Sequence, residues 1–585
     1  MRISSLVSRL SLAALIAVPL AGTPTQQAKA ETFTGSYLSA LHARAERDVK
    51  AAAKHFGRAV AKRPNDRRLL SQALFYAIAA GEMRRATALA DRLGELEPQD
   101  RVSTLVGTAN SINDGDFDTA DARLETPRRG PIDALLIPIV QGWIALGQSD
   151  SERAMEAFLE PDANPLQVFF SRYHAGLAAS FLGDHTAAVE HLQTATEMED
   201  FQSKRANLAY AQALERTGAF DEALAAYDEL LTDYPSDAQI VTDRARATRR
   251  DTTAEVPLLA ASPAEGAAEM MFGLSGALAR ERDGRQFALL YARLALHMHP
   301  GFSEARLLVA SLLDRMEQYE EAASVYADVP EGDASYVSAQ VGRALAFESM
   351  ERHDDAISVL DQLTEGDDRR PSVYFAKGGL LSRAERYSDC VAAFDDGVVR
   401  LSSIQPEHWR FFYGRGMCLE RVGRWSEAEE NFRQALELNP DQPDVLNYLG
   451  YSMVEMNDRL PEARNMIERA VEVAPDRGYI IDSLGWVLYR LGEYDEAVEK
   501  LQLAVEKEPV EPVINDHLGD ALWKVGRKME ARFQWKRALS FDPEEEDRVR
   551  ILKKLDVGLD AVLADETSGA GGAIKSEATA KPTDG

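Results

Sequence analysis

The sequence predicts an all-α solenoid, a right-handed superhelix of about fourteen helix pairs arranged in two arcs. Three observations support this fold class. A block of about 34 residues occurs three times in succession between Pro443 and Pro543. One small residue of this block recurs at nearly the same spacing along most of the chain. The composition, with 8% aromatic and 28% charged residues, suits helices that bury one face and expose the other.

The three blocks share seven positions, and each spacing has a structural reason. Gly in the first helix and Ala in the second let two antiparallel helices approach closely, large residues fill the space around this contact, and Pro ends the second helix. The positions are Leu449, Gly450, Met453, Ala463, Ile467, Ala470 and Pro475; Leu484, Gly485, Leu488, Ala497, Leu501, Ala504 and Pro509; and Leu518, Gly519, Leu522, Ala531, Trp535, Ala538 and Pro543. This pattern resembles the tetratricopeptide repeat, which implies one helix pair for each block.

We number the repeat so that its Gly is place 8, and the first small Ala is then place 20. This Ala extends the pattern to the rest of the chain. Its spacing stays close to 34 residues, apart from one long interval. The positions are Ala52, Ala86, Ala120, Ala154, Ala188, Ala223, Ala288, Ala322, Ala356, Cys390, Ala428, Ala463, Ala497 and Ala531. They predict helix pairs from about residue 33 to residue 543.

The long interval, between Ala223 and Ala288, leaves room for one unpaired helix at 238–249. Because an odd helix cannot continue a stack of pairs, the superhelix should change direction or hinge at 250–262. Ser262 followed by Pro263 is typical of a helix N-cap and restarts the array. The two arcs are therefore an N-terminal array at 31–249 and a C-terminal array at 263–543. The alternative is a degenerate repeat without functional meaning.

Residues 1–30 have the pattern of a secretory signal peptide, with a basic start, an apolar run and the cleavage site Ala28-Lys29-Ala30. The apolar run, about half the length of a transmembrane helix, is too short to span a membrane. Since no Cys follows it, we expect no lipid anchor and no transmembrane segment after cleavage. The sequence predicts a mature chain in the periplasm.

Two segments follow the array. Residues 544–563 have the pattern of an amphipathic helix that caps the last repeat. Residues 564–585 are rich in Gly, Ala, Ser and Thr, and we expect them to be disordered.

The chain is strongly acidic, with a formal net charge of −29. Removal of the three basic residues of the signal would bring the charge to about −32. Such a chain repels phosphate backbones, so we expect no nucleic-acid partner. Its field favours basic partners.

The sequence contains no Gly-rich phosphate loop, no nucleophile elbow and no zinc-protease helix, so we expect no enzyme activity, no cofactor and no metal site. His297 and His299 lie two residues apart at a helix end and point to different faces. Cys390 occupies the small place of its own repeat, so two buried thiols are the preferred interpretation of Cys390 and Cys418. A disulfide is the alternative, since the periplasm is oxidising.

The candidate binding surface is the inner face of the first helices in the last three repeats. In tetratricopeptide arrays these helices line a concave groove, and helical spacing directs places 5, 9 and 12 into it. Exposed rings beside carboxylates and amides suit the recognition of a peptide. The alternative is that the rings pack against the next repeat or the capping helix. The predicted groove residues are Asn447, Tyr451, Asp482, Trp486, Tyr489, Asp516, Asp520 and Trp523.

The segments 447–451, 482–486 and 516–523 resemble the C-terminal block of bacterial envelope tetratricopeptide proteins. Some of these are outer-membrane lipoproteins that bind a carboxy-terminal processing protease and deliver cell-wall hydrolases to it. The resemblance implies a non-catalytic scaffold or adaptor whose C-terminal groove holds one partner while the N-terminal arc holds a second. The absent lipid-bearing Cys departs from that pattern. The alternative is a structural component of an envelope assembly or a polysaccharide-export complex.

Overall fold

The computed structural model describes residues 32–125, 130–159, 164–235, 237–281, 284–365 and 370–569. These residues form thirty-one α-helices and two short 3-10 helices, and no strand occurs among them. The helices make fifteen consecutive pairs and one unpaired helix. The predicted all-α class and the repeat solenoid are confirmed.

The described residues divide into two compact units, one ending at Val359 and the other beginning at Leu360. The first unit contains α1 (Phe33–Ala45), α2 (Val49–Lys62), α3 (Arg67–Ala79), α4 (Met83–Leu96), α5 (Arg101–Asn113), α6 (Phe117–Leu124), α7 (Pro131–Gly147), α8 (Ser151–Phe158), α9 (Pro165–Leu182), α10 (His185–Thr196), the 3-10 turn Glu199–Phe201, α11 (Lys204–Thr217), α12 (Phe220–Asp233), α13 (Ala238–Thr248), α14 (Pro263–Ala279), α15 (Arg285–Met298), α16 (Ser303–Arg315), α17 (Tyr319–Ala327) and α18 (Tyr336–Ser349). The division falls within α19 (His353–Glu365).

The second unit continues with α20 (Pro371–Arg383), α21 (Tyr387–Val398), the 3-10 turn Pro406–His408, α22 (Trp409–Arg421), α23 (Trp425–Leu438), α24 (Pro443–Glu455), α25 (Leu460–Val473), α26 (Gly478–Leu491), α27 (Tyr494–Lys507), α28 (Pro512–Lys524), α29 (Lys528–Ser540), α30 (Glu545–Val557) and α31 (Leu559–Gly569). None of the helices in the described part of the chain is long and apolar enough to cross a membrane.

The place-20 positions are the most deeply buried feature of both units. All fourteen side chains, Cys390 included, have no exposed surface. The Gly at place 8 faces this contact from the first helix of the pair. A Cβ added to Gly485 would lie 2.5 Å from Leu501 Cγ, and one added to Gly519 would lie 2.4 Å from Trp535 Cδ1. In these two pairs the helices can therefore pack this closely only because the residue at place 8 has no side chain.

The predicted unpaired helix is α13, which packs against α12 and α11. It is held by buried polar contacts, because Arg246 donates to Glu215 on α11 at 2.7 Å and Gln212 donates to Asp243 at 2.9 Å. Residues 250–262, predicted as a hinge, lie inside the first unit and lead from α13 to α14. The two predicted arrays at 31–249 and 263–543 and the hinge at 250–262 stay predictions.

Helices α14 and α15 pack against the first helices of earlier repeats, namely α3, α5, α7 and α9. The contact is close, since a Cβ at Gly266 would lie 2.2 Å from the Trp143 ring. Arg293 donates to the Ala79 carbonyl at 3.3 Å, and Asn110 is 2.7 Å from His297. The inner face of the N-terminal arc, which we expected to hold a second partner, is thus covered by the chain's own helices over these repeats.

A disulfide joins Cys390 on α21 to Cys418 on α22. The preferred interpretation of two free thiols is therefore wrong. The physical reason is that the place-20 side chain of one repeat faces the first helix of the next, which brings the two Cα atoms to 6.2 Å.

The segment 544–563, predicted as a cap, forms α30 and the first part of α31. Helix α31 extends to Gly569, so the first residues of the segment 564–585 are helical rather than disordered. The predicted signal peptide at 1–30 and the remainder of the tail, 570–585, lie outside the described residues.

Candidate functional site

The eight predicted groove residues lie on α24, α26 and α28, the first helices of the last three repeats before α30. Seven of them are buried and Tyr451 is half-buried. The expectation that they are exposed is wrong, because their side chains pack against the next first helix and against α30 and α31. Binding of a partner at these residues stays a prediction.

Trp486 is the centre of an aromatic stack. Its ring is parallel to that of Tyr489 at 4.7 Å between centroids and to that of His517 at 4.1 Å. The indole Nε1 donates to Glu455 Oε1 at 2.7 Å, so the polar edge of the ring is satisfied as well. The stack joins α26 to α28 and fixes the distance between two consecutive first helices.

His517 forms an ion pair with Asp482, at 3.0 Å from Nδ1 to each carboxylate oxygen. Burial alone would lower the pKa of His517, but the Asp482 carboxylate, with smaller contributions from Asp516 and Glu455, raises it above its ordinary value. The histidine is therefore charged over a wider pH range than a free one. This pair was missed in the sequence because place 6 is not directed into the groove by simple helical spacing.

Tyr451 and Asn447 lie on α24, at the start of this surface. Burial raises the pKa of the Tyr451 hydroxyl, and so do the nearby carboxylates of Glu455, Asp482 and Asp547. Asp547 belongs to α30, so α30 reaches the electrostatic environment of a residue three repeats earlier. The Asn447 side-chain oxygen is buried without a hydrogen-bond partner among the described residues.

Asp516 and Asp520, one turn apart on α28, bind the ammonium of Lys554. The distances from Lys554 Nζ are 2.7 Å to Asp516 Oδ2 and 2.7 Å to Asp520 Oδ1. Trp535 Nε1 also donates to Asp520, at 2.9 Å. Burial raises the pKa of Asp520, against the lowering effect of Lys554. Arg550 Nη1 lies farther off, at 3.6 Å from Asp520.

Trp523 closes the surface at the end of α28. Its Nε1 donates to Asp560 on α31 at 2.9 Å, and Lys528 lies 4.6 Å from its ring. The turn between α30 and α31 passes directly over it, since a Cβ on Gly558 would lie 2.7 Å from the indole. The last helix pair, α30 and α31, therefore packs on Trp523.

Arg550 and Lys554, which complete this cluster, were also missed in the sequence although a signal for them exists. Continuing the repeat by one more step puts place 5 at Arg550 and place 9 at Lys554. Place 5 then holds Asn447, Asp482, Asp516 and Arg550, and place 9 holds Tyr451, Trp486, Asp520 and Lys554. Helix α30 is thus a further first helix, with cations where earlier repeats hold acids, amides and rings.

No group of three or more His, Cys, Asp or Glu side chains that could hold a metal ion occurs in the described ranges. His297 instead contacts Asn110, and burial lowers its pKa. The side chains of this cluster are packed and charged, and they interact through ion pairs and aromatic stacking.

Family models of the tetratricopeptide repeat match residues 173–238 and 449–512, and a second model of the same repeat matches residues 409–442. No curated protein matches the sequence. Among solved structures, the chain is similar to the APC/C hetero-tetramer Cut9-Hcn1, with 14% identity, 91% of this chain and 97% of that chain covered, and a TM-score of 0.38.

Two shorter structures are also similar. YrrB, described as a tetratricopeptide protein with an unusual peptide-binding site, is 20% identical, with 33% of this chain and 97% of that chain covered and a TM-score of 0.27. MamA from Desulfovibrio magneticus RS-1 is 18% identical, with 30% of this chain and 97% of that chain covered and a TM-score of 0.27. Tetratricopeptide arrays generally act as non-catalytic scaffolds that mediate protein–protein interactions. Residues 173–238, 409–442 and 449–512 of this chain therefore match the tetratricopeptide repeat.

Proposed function

We propose that this chain is a non-catalytic scaffold of the bacterial cell envelope that binds a protein partner on the first helices of its last repeats. The observation that carries the proposal is the ladder of acidic and aromatic side chains on α24, α26 and α28. These helices repeat the same places at the spacing of the array, so equivalent groups recur at regular intervals, and a partner would contact them after the helices that cover them are displaced. The net charge of −29 favours a basic partner surface.

The disulfide supports an envelope location. The chain has two cysteines, and both are in the bridge between α21 and α22. Structural disulfides persist in oxidising compartments such as the periplasm and are rare in the cytosol. Together with the signal-peptide pattern of residues 1–30, this favours export to the periplasm through a cleavable signal.

The more specific form of the proposal is an adaptor for a carboxy-terminal processing protease. The support is the resemblance of the segments 447–451, 482–486 and 516–523 to the adaptor lipoproteins. In this role the scaffold would hold the protease and bring cell-wall hydrolases to it as substrates. Since the inner face of the first unit is covered by α14 and α15 at α3 to α9, we place the partner contact on the second unit.

Site-specific crosslinking tests the proposal. A photoreactive amino acid is placed at Tyr451, which is half-buried on a first helix, and in a matched control at Glu499, which is exposed on the second helix α27. Crosslinking in intact envelopes followed by mass spectrometry should recover a processing protease or a cell-wall hydrolase from position 451 and not from position 499. Equal recovery from both positions, or none from position 451, would contradict the proposal. Recovery of a stable assembly that persists in a strain without the protease would favour a structural component instead.

A further inference from the structure

Helix α30 carries two of its basic side chains at the places that face the acidic residues of α28. Arg550 and Lys554 are four residues apart and so lie on one side of the helix, one turn from each other. Asp516 and Asp520 have the same spacing on α28. The Lys554 ammonium contacts both carboxylates and has no exposed surface. The two helices are therefore matched by charge, position by position.

Apolar packing contributes little to the attachment of α30. Of its thirteen residues only Ile551 and Lys554 are buried, whereas ten of the thirteen residues of α28 are buried. Val549, Leu552 and Val557 are exposed by 57%, 51% and 52%. Because burial of apolar area is the main source of stability at a helix interface, α30 is bound mostly through its ion pairs.

Buried carboxylates are costly without a cation, so Asp516 and Asp520 need a basic group at all times. Apolar contacts do not determine which chain supplies this basic group. A different helix with the same two cations and a better apolar face could take the position of α30. A helix without a cation at these two places could not, because Asp516 and Asp520 would then be covered without a basic group beside them.

We propose that α30 is an intramolecular ligand of the surface formed by Asp516 and Asp520, and that a helical segment of a partner protein with two basic side chains four residues apart replaces it. The inference rests on the proposed binding function of the C-terminal first helices and names the chemistry of the partner. The exchange breaks no covalent bond. It replaces the two cations of α30 with two cations of the partner helix, and it releases α30 with its exposed apolar side chains.

The test uses the full chain and a fluorescein-labelled peptide with the sequence of residues 545–557. In the wild-type chain the tethered α30 competes at a high effective concentration, so the peptide should bind weakly. In Lys554→Met the competitor loses its central contact. The dissociation constant of the peptide, measured by fluorescence anisotropy, should then fall by about tenfold or more. The matched control is Lys553→Met, which removes the same charge from an exposed neighbour whose contact is with Asp565.

Two further variants make the result specific. Combining Lys554→Met with Asp516→Asn and Asp520→Asn should abolish the gain in affinity, and a peptide with Met at the places of Arg550 and Lys554 should not bind any of the chains. Hydrogen exchange should show that the amides of α30 exchange faster when the peptide is bound to Lys554→Met. Circular dichroism checks that each variant keeps its helix content.

Equal peptide affinity for Lys554→Met and Lys553→Met would overturn the inference, and so would a gain that survives the two Asp→Asn changes. If Lys554→Met unfolds the last repeats, Lys554→Arg keeps the charge but puts a larger group into a fully buried position, so it should admit the peptide more readily than wild type. Failure to do so would also overturn the inference. Capture of an envelope partner that does not depend on Asp516 and Asp520 would leave the proposed function standing while refuting this exchange.

Discussion

The ammonium of Lys554 lies 2.7 Å from the Asp520 carboxylate, and neither side chain has any exposed surface. The pair connects α30 to α28, across the surface that the sequence marks as a binding groove. A buried charge of this kind is stable only while its partner is present. The contact therefore governs whether the last helix pair stays attached to the array.

Lys554→Met should loosen the last helix pair by about 3–5 kcal/mol, because the change removes the ammonium that contacts both buried carboxylates and leaves them only the more distant Arg550, at 3.6 Å from Asp520. Native-state hydrogen exchange of α30 and α31 measures this local free energy directly. The control Lys553→Met, which removes an exposed pair with Asp565, should cost about 1 kcal/mol or less. Similar exchange rates in both variants would show that Lys554 is not the main attachment.

The ion pair between His517 and Asp482 should make the last repeats more stable at mildly acidic pH than at alkaline pH. The folded pKa of His517 is raised above the unfolded value of about 6.5. Its contribution is then fully present below about 6.5 and is lost as the pH rises through the folded pKa. Titration of the imidazole by NMR and denaturation of the wild-type chain and His517→Gln between pH 5 and pH 9 measure this. A His517→Gln variant with the same pH profile as the wild type would contradict it.

His174 in the first unit should give the opposite pH dependence. It is buried, it accepts a hydrogen bond from Trp143 Nε1 at 3.1 Å, and burial lowers its pKa to about 3. The unfolded chain binds a proton at His174 near pH 6.5, whereas the folded chain does not. The free energy of unfolding therefore falls as the pH decreases from about 6.5 towards 3. His174→Phe should flatten this dependence in a chemical denaturation series. An unchanged slope in that variant would show that other groups cause the acid sensitivity.

The disulfide between Cys390 and Cys418 should stabilise the start of the second unit by about 2–4 kcal/mol. Peptide mapping without reductant should recover the two cysteines in one linked peptide. Denaturation with and without dithiothreitol should show the loss in the wild-type chain, whereas the double variant Cys390→Ala, Cys418→Ala should not respond to reductant. Two free thiols in protein purified from the periplasm would contradict the bridge.

Gly485→Ala should destabilise its repeat by about 1–3 kcal/mol, since the new Cβ would lie 2.5 Å from Leu501 Cγ. Truncating the neighbour tests the cause. Leu501→Ala is destabilising by itself, but in its presence Gly485→Ala should cost markedly less, and a double-mutant cycle measures this coupling. Additive effects of the two changes would show that the glycine is needed for another reason.

The sequence predicts the helix pairs and their contacts well because the same constraint returns in every repeat. The place-20 residues from Ala52 to Ala531 are all fully buried, and the unpaired helix is α13. The packing of α14 and α15 against α3, α5, α7 and α9 was not predictable from the local sequence pattern. It depends on contacts between residues far apart in the sequence, such as Ala79 and Arg293, which are about 200 positions apart.

The candidate site was only partly predictable for a similar reason. Helical spacing groups the acidic and aromatic side chains of α24, α26 and α28 at equivalent places of the repeat. Their burial depends on what covers them, and the covering residues Arg550 and Lys554 belong to a segment whose apolar pattern indicates a cap rather than a repeat. The disulfide was only the alternative interpretation because Cys390 fits the small place by size alone, while its partner lies on the next helix.

Hydrogen exchange of the full chain with and without its crosslinked envelope partner tests the central claim most directly, namely that the first helices of the last repeats bind a protein. The account predicts that protection rises on α24, α26 and α28 and not on the second helices α25, α27 and α29. Protection confined to the second helices, or to the first unit, would contradict it.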